Sequence, residues 1–527
     1  ADDLTPLADD PGKLQQRINV VANLASMLGL KLNPQKCRSL HLSGKTPVGT
    51  RPTKFLVNGE EIPHISDYEG QKFLGRPVGF SILPDHATVD EAINIGRTLL
   101  QSMLAPWQRI DAVKTFVFPA LNFAMRCGQV GKTEWARLDD TLRPLIKKTL
   151  YLPGNAANDY IYGSSAAGAA GIPVAADTSD ACRVDNAFKL LTSADLEIRD
   201  LALQALTKIV SQRLGRTAEP DDLAGYLNGE TEGEFRARAT QLQSVWTEAR
   251  KASRRLGVTW QLHDEGATIN CGNDTISPKR RTKVVRTLRF AMASARDHAL
   301  HEMPNQGKVM ECVATDPSSS HFMRSGSFLR FCDWRFIHKA RLNLLPLNGA
   351  RPWASAADKR CRVCGHPQET LPHVLCHCMH HSVAYTSRHN KIVERVKRAA
   401  AMKFTVTHEN QPVGDTNLRP DLVLARGEEA IIVDITCPFE NRLSALEAAR
   451  REKITKYQPV RDYLLRRYQR VSVEAIIVGA LGSWDTENDR VLKRLCSRRY
   501  LRLLKKLAVS ETIAASREVY STHVATR

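Results

Sequence analysis

The chain has 527 residues, a formal net charge of +19 and a sequence pI near 9.5. A hydrophobic content of 43% with 25% charged residues indicates a globular protein of several domains and excludes a disordered chain. The excess of positive charge favours a polyanionic partner, and nucleic acid is the foremost candidate. The longest apolar runs fall short of the roughly 20 residues that a membrane-spanning helix needs, so we expect no membrane partner.

The first 88 residues predict one helix followed by short strands. Apolar residues recur at helical spacing in "GKLQQRINVVANLASMLGLKLN", and Gly29 marks the end of this helix. Strands are expected in "KFLVNGEEI", with a turn at Asn58-Gly59, and in "QKFLGRPVGF".

Residues 88–260 are predicted to be mostly helical, with a loop of small residues at 163–173. A basic helix is then expected over 278–301. Its basic residues are equally consistent with a solvent-exposed helix face and with a face that contacts the phosphate groups of a nucleic acid. On the second interpretation the residues that contact nucleic acid are Lys279, Arg280, Arg281, Lys283 and Arg286.

The last 140 or so residues predict a compact α/β domain, of a size within the usual range. Strands are expected in "FTVTHEN", "DLVLAR", "AIIVDIT" and "VSVEAIIVGA". We expect helices over 382–402, 441–469 and 486–508. Strands flanked by helices in this order are typical of an α/β layer structure.

Four of the twelve cysteines fall within residues 361–378, in "CRVCGHPQETLPHVLCHC". Thiolates and imidazoles at this density suit tetrahedral Zn²⁺. We expect the ligands to be Cys361, Cys364, His373 and Cys378. Cys378 is preferred to Cys376 because four intervening residues allow one helical turn after His373, and His377, His380 and His381 remain open as substitutes. Buried free thiols are the alternative, which this local density disfavours.

Two carboxylates, Asp421 and Asp434, are predicted to lie at one end of neighbouring strands. Such a pair could share Mg²⁺, and the metal could activate water for the cleavage of a phosphodiester. Restriction-enzyme-like nucleases commonly place a lysine two residues after the second acid, where this chain has Thr436. We therefore expect Lys453 or Lys456, on the next helix, to take that role.

A further carboxylate near the pair is expected from Glu440 or Glu394, although each is more often an exposed helix acid. The pair alone is more often two turn acids than a nuclease. The predicted strand order and the basic chain favour the nuclease.

These motifs together resemble those of non-LTR retrotransposon polyproteins that carry a restriction-like endonuclease. The chain is most similar to the R-two clade, which inserts into large-subunit ribosomal RNA genes. The cysteine–histidine segment resembles the zinc knuckle of that clade, "RPDLVLARGEEAIIVD" its acidic motif, and Lys453-x3-Tyr457 its displaced lysine. "HKARLNLLP" (338–346) and "RHNKI" (388–392) resemble the segments on either side of the knuckle.

The beginning of the chain resembles the end of a reverse transcriptase. "ADD" is similar to the end of the metal-binding box of the palm, and "GLKLNPQKC" to the motif that follows it. "KFLG" (72–75) is similar to the primer-grip region and "GIP" (171–173) to part of the thumb. The chain is therefore expected to be a fragment of a longer polyprotein and to carry only part of the polymerase active site.

The resemblance implies a multidomain α+β fold in five parts. They are the end of a reverse-transcriptase palm (1–88), a helical thumb (89–215), a linker with the basic helix (216–350), a CCHC zinc knuckle (351–382) and an α/β restriction-endonuclease-like domain (383–527).

The resemblance also assigns roles to residues. Asp2 and Asp3 would hold Mg²⁺ in the palm, and Lys36 would protonate the pyrophosphate leaving group. Asp421 and Asp434 would hold Mg²⁺ in the nuclease. The remaining expected roles are a water-positioning lysine at Lys453 and nucleic-acid contacts from His338, Arg341 and Arg419.

The implied function is target-primed reverse transcription. The endonuclease nicks a specific, ribosomal DNA site, and the freed 3′-hydroxyl primes RNA-templated DNA synthesis. The expected partners are double-stranded target DNA, the element RNA template, the primer–template hybrid and the preceding part of the same polyprotein. The expected location is the nucleus, and within it the nucleolus. The alternatives are a nuclease-inactive nucleic-acid-binding scaffold, a resolvase-like nuclease that selects branched DNA, and an element clade with another target.

Overall fold

The computed structural model describes residues 4–82, 86–127, 130–236, 244–263, 266–350 and 358–526. The chain forms two compact units. One consists of Ala1–Val89 with Phe123–Gly131, and the other of Asp90–Asn122 with Lys132–Arg527. Helices and small sheets are mixed throughout, as expected for the fold class. Within the described ranges, no helix is both long and apolar enough to cross a membrane.

The first unit contains one long helix and three two-stranded antiparallel sheets. The helix α1 (Pro11–Met27) begins where the Asp10 side chain accepts hydrogen bonds from two backbone N–H groups. The strands are β1 (Leu42–Ser43), β2 (Gly49–Thr50), β3 (Phe55–Val57), β4 (Glu60–Ile62), β5 (Gln71–Phe73) and β6 (Arg76–Val78). The expected turn at Asn58-Gly59 joins β3 to β4, and both of its residues have positive φ.

The part of the second unit that precedes the cysteine cluster is mainly helical. In chain order the α-helices are α2 (Ala87–Gln101), α3 (Pro106–Ala112), α4 (Phe118–Ala120), α5 (Asn122–Cys127), α6 (Lys132–Thr149), α7 (Asp159–Tyr162), α8 (Ala175–Leu191), α9 (Leu196–Leu214), α10 (Pro220–Asn228), α11 (Val245–Leu256), α12 (Val284–Glu302), α13 (Lys308–Val313) and α14 (Phe331–Arg341). Two of these α-helices, α2 and α5, contain residues of both units.

Two features of this part differ from the sequence expectation. A three-stranded antiparallel sheet, β7 (Val258–His263), β8 (Gly266–Cys271) and β9 (Asp274–Ile276), follows α11. The basic helix starts later than expected, because Pro278–Lys283 forms a 3₁₀ helix and the α-helix begins at Val284.

The C-terminal part of the second unit is built around one four-stranded sheet. Its strands are β10 (Thr405–Glu409), β11 (Leu422–Arg426), β12 (Glu429–Thr436) and β13 (Arg470–Ile477), in that spatial order. The first three strands are antiparallel, and β13 runs parallel to β12. A strand covered on both faces is apolar almost throughout, and six consecutive residues of β12 are buried.

Helices pack around this sheet. They are α15 (Ser382–Ala400), α16 (Leu443–Lys456), α17 (Gln458–Leu464), α18 (Asn488–Leu495) and α19 (Arg498–Ala525). The first four pack against its strands, and α19 packs on α15. The single helix expected over 441–469 is two helices, since Pro459 starts a new helix at α17. The helix expected over 486–508 is also two, and α19 continues to Ala525.

Candidate metal centres

Asp421 and Asp434 lie side by side at one end of the β11–β12 pair. Leu422 pairs with Val433, so the residue before β11 lies next to Asp434 on the neighbouring strand. Asp434 is only 3% exposed, and Asp421 Oδ2 accepts a hydrogen bond from Ile435 N at 2.7 Å. Burial, and then the charge of Asp421, raise the pKa of Asp434. Two carboxylates held this close repel each other unless a cation lies between or beside them.

Lys453, in the last turn of α16, supplies one such cation. Its Nζ atom lies 2.9 Å from Asp434 Oδ2. That carboxylate is almost fully buried, so the Lys453 ammonium partly compensates a charge that water does not reach. Lys456, the other candidate, has its Nζ 5.1 Å from the centre of the Tyr457 ring. Of the two lysines, Lys453 is therefore the one that contacts the acids.

His389 on α15 completes the cluster, and the sequence reasoning did not single it out. Its Nε2 atom lies 3.1 Å from both Asp421 Oδ2 and the Ile435 carbonyl oxygen. Burial alone would lower the pKa of His389, but the Asp421 carboxylate raises it above its ordinary value. In the sequence, His389 is marked only as part of the family motif "RHNKI". The local pattern of residues does not show that His389 lies next to residues 421 and 435.

The two further glutamates proposed for this site have other roles. Glu440 is fully buried, and its Oε1 accepts hydrogen bonds from Leu481 N, Ser483 N and Ser483 Oγ. It therefore supports the turn after β13 and is not an exposed helix acid. Glu394 pairs with Arg398 on the exposed side of α15. These contacts do not support the expectation that Glu440 or Glu394 provides a further carboxylate near the Asp421–Asp434 pair.

The donor set of this site fits Mg²⁺. Two carboxylates and the Ile435 carbonyl provide hard oxygen ligands, which Mg²⁺ prefers. The mutual repulsion of the two acids is relieved by a divalent cation. The site can therefore hold a metal while keeping one ammonium beside it.

The cysteine cluster brings together the four residues expected from its spacing. The ligand atoms of Cys361, Cys364, His373 and Cys378 all lie within 4.8 Å of one another. Cys364 Sγ and His373 Nε2 are 3.2 Å apart. Cys376 points elsewhere, because its Sγ contacts the Cys437 carbonyl oxygen at 3.8 Å.

Local backbone structure sets this geometry. Gly365, at φ +74°, directly follows Cys364 and closes the tight turn that begins at Cys361, where Gly365 N donates to the Cys361 carbonyl oxygen at 2.9 Å. A single π-helical turn, His373–His377, separates the last two ligands. The helical turn expected between His373 and Cys378 is thus present, as a π-helical turn that is wider than an α-helical one.

The chemistry of the four side chains fits Zn²⁺. Three sulfurs and one imidazole make a closed tetrahedral donor set. Burial lowers the pKa of His373, which keeps its ring neutral and able to bind a metal. Burial, and then the neighbouring thiols, raise the pKa of Cys378. A cation is therefore needed to hold Cys378 as a thiolate.

His523, near the end of α19, lies against this cluster and was also missed from the sequence. It is fully buried, and its Nε2 lies 2.9 Å from Glu369 Oε1 and 3.9 Å from Cys361 Sγ. Its Nδ1 lies 3.0 Å from His381 Nε2. Burial would raise the pKa of Glu369, but hydrogen bonds led by that of Arg362 lower it to about 2. The end of the last helix is thus joined to the cysteine cluster by buried polar groups.

Two of the expected nucleic-acid contacts do not agree with the structure. His338 and Arg341 are both fully buried. His338 Nδ1 lies 2.7 Å from the Tyr160 hydroxyl, and Arg341 donates to the Ser319 and Leu481 carbonyl oxygens. Their place in "HKARLNLLP" therefore reflects core packing on α14, where an arginine can be buried if every N–H group finds an acceptor.

The other expected contacts remain accessible. Arg419 is exposed, and only its carbonyl oxygen is engaged, by the Tyr457 hydroxyl at 3.0 Å. Lys279, Arg280, Lys283 and Arg286 are exposed, while Arg281 is half-buried and donates to the Lys189 carbonyl oxygen. Lys36 is exposed after a short 3₁₀ turn. Asp2 and Asp3 lie outside the described residues.

Comparison with known proteins relates the whole chain to one group of mobile elements. It is 24% identical over 539 aligned positions to the "Retrovirus-related Pol polyprotein from type-1 retrotransposable element R2" of Popillia japonica, covering 99% of this chain and 97% of that relative. The type-1 element R2 polyprotein of Nasonia vitripennis is 23% identical over 94% of this chain and 42% of its own length.

A shorter match supports the same relationship. The type-2 element R2DM polyprotein of Drosophila melanogaster is 27% identical over 33% of this chain and 17% of its own length. The chain thus spans less than half of two of these relatives. No protein-family model matches it. The resemblance to the R-two clade that the motifs indicate is confirmed.

Proposed function

We propose that this chain is the C-terminal part of a target-primed reverse transcription protein and that its last domain nicks target DNA at Asp421 and Asp434. The observation that carries the proposal is the position of Lys453, whose Nζ lies 2.9 Å from Asp434 Oδ2 beside the second carboxylate. Two adjacent acids with a lysine at a buried strand end have the chemistry of a metal-dependent phosphodiesterase.

Each residue of the site has a distinct task. Mg²⁺ held by Asp421 and Asp434 supplies a Lewis acid for the phosphodiester and its attacking water. The Ile435 N–H and His389 hold the Asp421 carboxylate in one orientation. The Lys453 ammonium stabilises the negative charge that develops on the phosphate, where an oriented cation is most effective.

The remainder of the proposal rests on the family resemblance. In the palm segment, Asp2 and Asp3 bind Mg²⁺ and Lys36 protonates pyrophosphate during RNA-templated synthesis from the nicked 3′ end. The Zn²⁺ cluster, Arg419 and the exposed residues around 279–286 position target DNA and the primer–template hybrid. The target is a ribosomal RNA gene, and the protein acts in the nucleolus.

The test is nicking of a supercoiled plasmid that carries a large-subunit ribosomal RNA gene segment, with Mg²⁺. We expect Asp421→Ala and Asp434→Ala to abolish nicking while DNA binding persists. Lys453→Ala should slow nicking by about 10²–10³-fold, the usual cost of removing one charge-stabilising group. Lys456→Ala is the matched control and should nick at the wild-type rate.

The other outcomes are equally informative. Absence of Mg²⁺-dependent nicking by the intact chain would overturn the nuclease and leave a binding scaffold. Preferential cutting of branched DNA of unrelated sequence would replace site-specific nicking with a resolvase-like activity. Equal loss in Lys453→Ala and Lys456→Ala would remove the assigned role of Lys453.

A further inference from the structure

A shallow groove lies between the loop at 321–329 and the first turns of α19, away from both metal centres. Its volume is about 410 Å³, and Phe328 and Tyr500 are the aromatic residues that line it. Phe328 is 53% exposed, so its ring is accessible to a ligand in the groove. Its backbone has φ +63°, a left-handed conformation that a phenylalanine adopts only when the surrounding structure imposes it.

The loop is fixed to the protein core, so the exposed ring is held in place. A Cβ atom on Gly326 would approach the Trp107 ring to 2.7 Å, which means that only glycine allows the backbone to pack there. Gly326 N donates to the carbonyl oxygen of Phe322, a fully buried residue, at 2.8 Å. On its inner side, the Phe328 ring lies 6.0 Å from the ring of His321.

The opposite wall of the groove carries only positive charge. Arg499, Arg502 and Lys506 line it at successive turns of α19, and all three are exposed. No acidic side chain is present among its described lining residues, and no salt bridge is recorded there for these three cations. Lys505, by contrast, turns inward and pairs with Asp316. Three unpaired cations along one helix face repel one another unless an anion joins them.

We propose that this groove binds single-stranded nucleic acid, with a base stacked on Phe328 and the phosphates on Arg499, Arg502 and Lys506. A fixed exposed ring beside a row of cations matches the stacking platform and charged track that bind single strands. The volume lies within the range of about 300–1,000 Å³ that suits a small ligand, the scale of a nucleotide and not of a duplex. This inference extends the proposed function and rests on it only for the class of partner, which is nucleic acid.

The test combines binding with cross-linking, without added Mg²⁺ so that nuclease activity has no influence. A 12-nucleotide single strand that contains 5-iodouracil is bound to the full chain and irradiated, and the cross-linked peptides are identified by mass spectrometry. We expect cross-links in the peptides that contain Phe328 or Tyr500. Binding is measured by fluorescence anisotropy with the single strand and with a 12-base-pair duplex.

The variant Phe328→Asn removes the ring and keeps a residue that tolerates positive φ. We expect it to weaken single-strand binding about tenfold and duplex binding less than twofold. The paired change Arg502→Gln and Lys506→Gln should reduce the slope of log K against log salt by about 1.4 for the single strand, the value for two lost phosphate contacts. The control Phe290→Asn, at an exposed ring on α12, should change neither.

Two results would overturn the proposal. One is an absence of cross-links from residues 321–330 and 497–506 together with unchanged single-strand affinity in Phe328→Asn. The other is an equal loss of single-strand and duplex binding in that variant while its thermal unfolding matches wild type. Nicking by the Asp421–Asp434 centre can fail without affecting either readout.

Discussion

His523 Nε2 lies 2.9 Å from Glu369 Oε1, and this contact joins the last turns of α19 to the cysteine cluster. Glu369 also accepts hydrogen bonds from Arg362, between the first two cysteines. His523 Nδ1 lies 3.0 Å from His381 Nε2 on the other side. Ligand-bearing segments and the C-terminal helix therefore share one buried hydrogen-bonded chain. Groups of this kind orient metal ligands without binding the metal themselves.

Replacing His523 is expected to weaken Zn²⁺ binding. The variant His523→Gln loses the contact with Cys361 Sγ. It also loses or displaces one of the two hydrogen bonds of the ring, to Glu369 or to His381. Metal affinity should fall by about 10–100-fold, the usual effect of losing such a supporting group. Competition with a chromogenic chelator measures the affinity, and His298→Gln, at an exposed histidine of α12, is the control. Equal affinity in both variants would show that His523 only fills space.

Removing the metal is expected to loosen the end of α19. Without Zn²⁺, the ligand-bearing segments are no longer held together, and the buried polar chain around His523 loses its fixed partner. Hydrogen exchange should then increase at residues 517–525 and much less at 501–509, where α19 packs in the core. Mass spectrometry of the intact chain before and after chelation measures both segments. The same exchange increase in both segments would indicate general unfolding instead.

The pH dependence of stability should carry the signature of Asp139. Burial raises the pKa of this carboxyl to about 6, although it accepts hydrogen bonds from Ala175 N and Ala176 N at the start of α8. The ordinary pKa of an aspartate is 3.8. The folded state therefore holds the proton more tightly than the unfolded state, and stability decreases as pH rises from about 4 to 6. In Asp139→Asn this decrease should be smaller, as measured by urea unfolding across that window. An identical slope in the two proteins would contradict the assignment.

The parts of the two centres that are local in sequence could be predicted, and the parts that depend on distant contacts could not. The four candidate zinc ligands lie within residues 361–378, where spacing alone restricts the geometry. The Asp421–Asp434 pair follows from two strands joined by one turn. His389 reaches its site only because α15 packs against the sheet, and His523 only because α19 packs on α15 and on the turn at His373–His377. The local pattern of apolar and polar residues does not show which helices, distant in the sequence, pack together.

The same distinction explains the errors. His338 and Arg341 were assigned to nucleic acid because the segment "HKARLNLLP" resembles a family motif, and the structure buries both, with an acceptor for each guanidinium nitrogen of the arginine. The sheet β7–β9 had a usable signal in the alternating pattern of 258–271 and the turn at Gly272, which has positive φ. The split of the helix at Pro459 was likewise visible as a proline within a helical pattern.

Lys453 and Mg²⁺ are expected to compete for the stabilisation of the acid pair. In Lys453→Met the buried Asp434 carboxylate loses its nearest cation, and the protein should be destabilised by about 3–5 kcal/mol at most, since Lys453 remains 23% exposed. Added Mg²⁺ should then raise the melting temperature more in Lys453→Met than in wild type, because the vacated position leaves the carboxylates uncompensated. Differential scanning fluorimetry with and without Mg²⁺ measures this difference. Lys456→Met, whose ammonium lies over the Tyr457 ring, should respond to Mg²⁺ as wild type does. An equal rise in all three proteins would mean that Lys453 does not compete with the cation, and no rise in any of them would mean that Asp421 and Asp434 do not bind it.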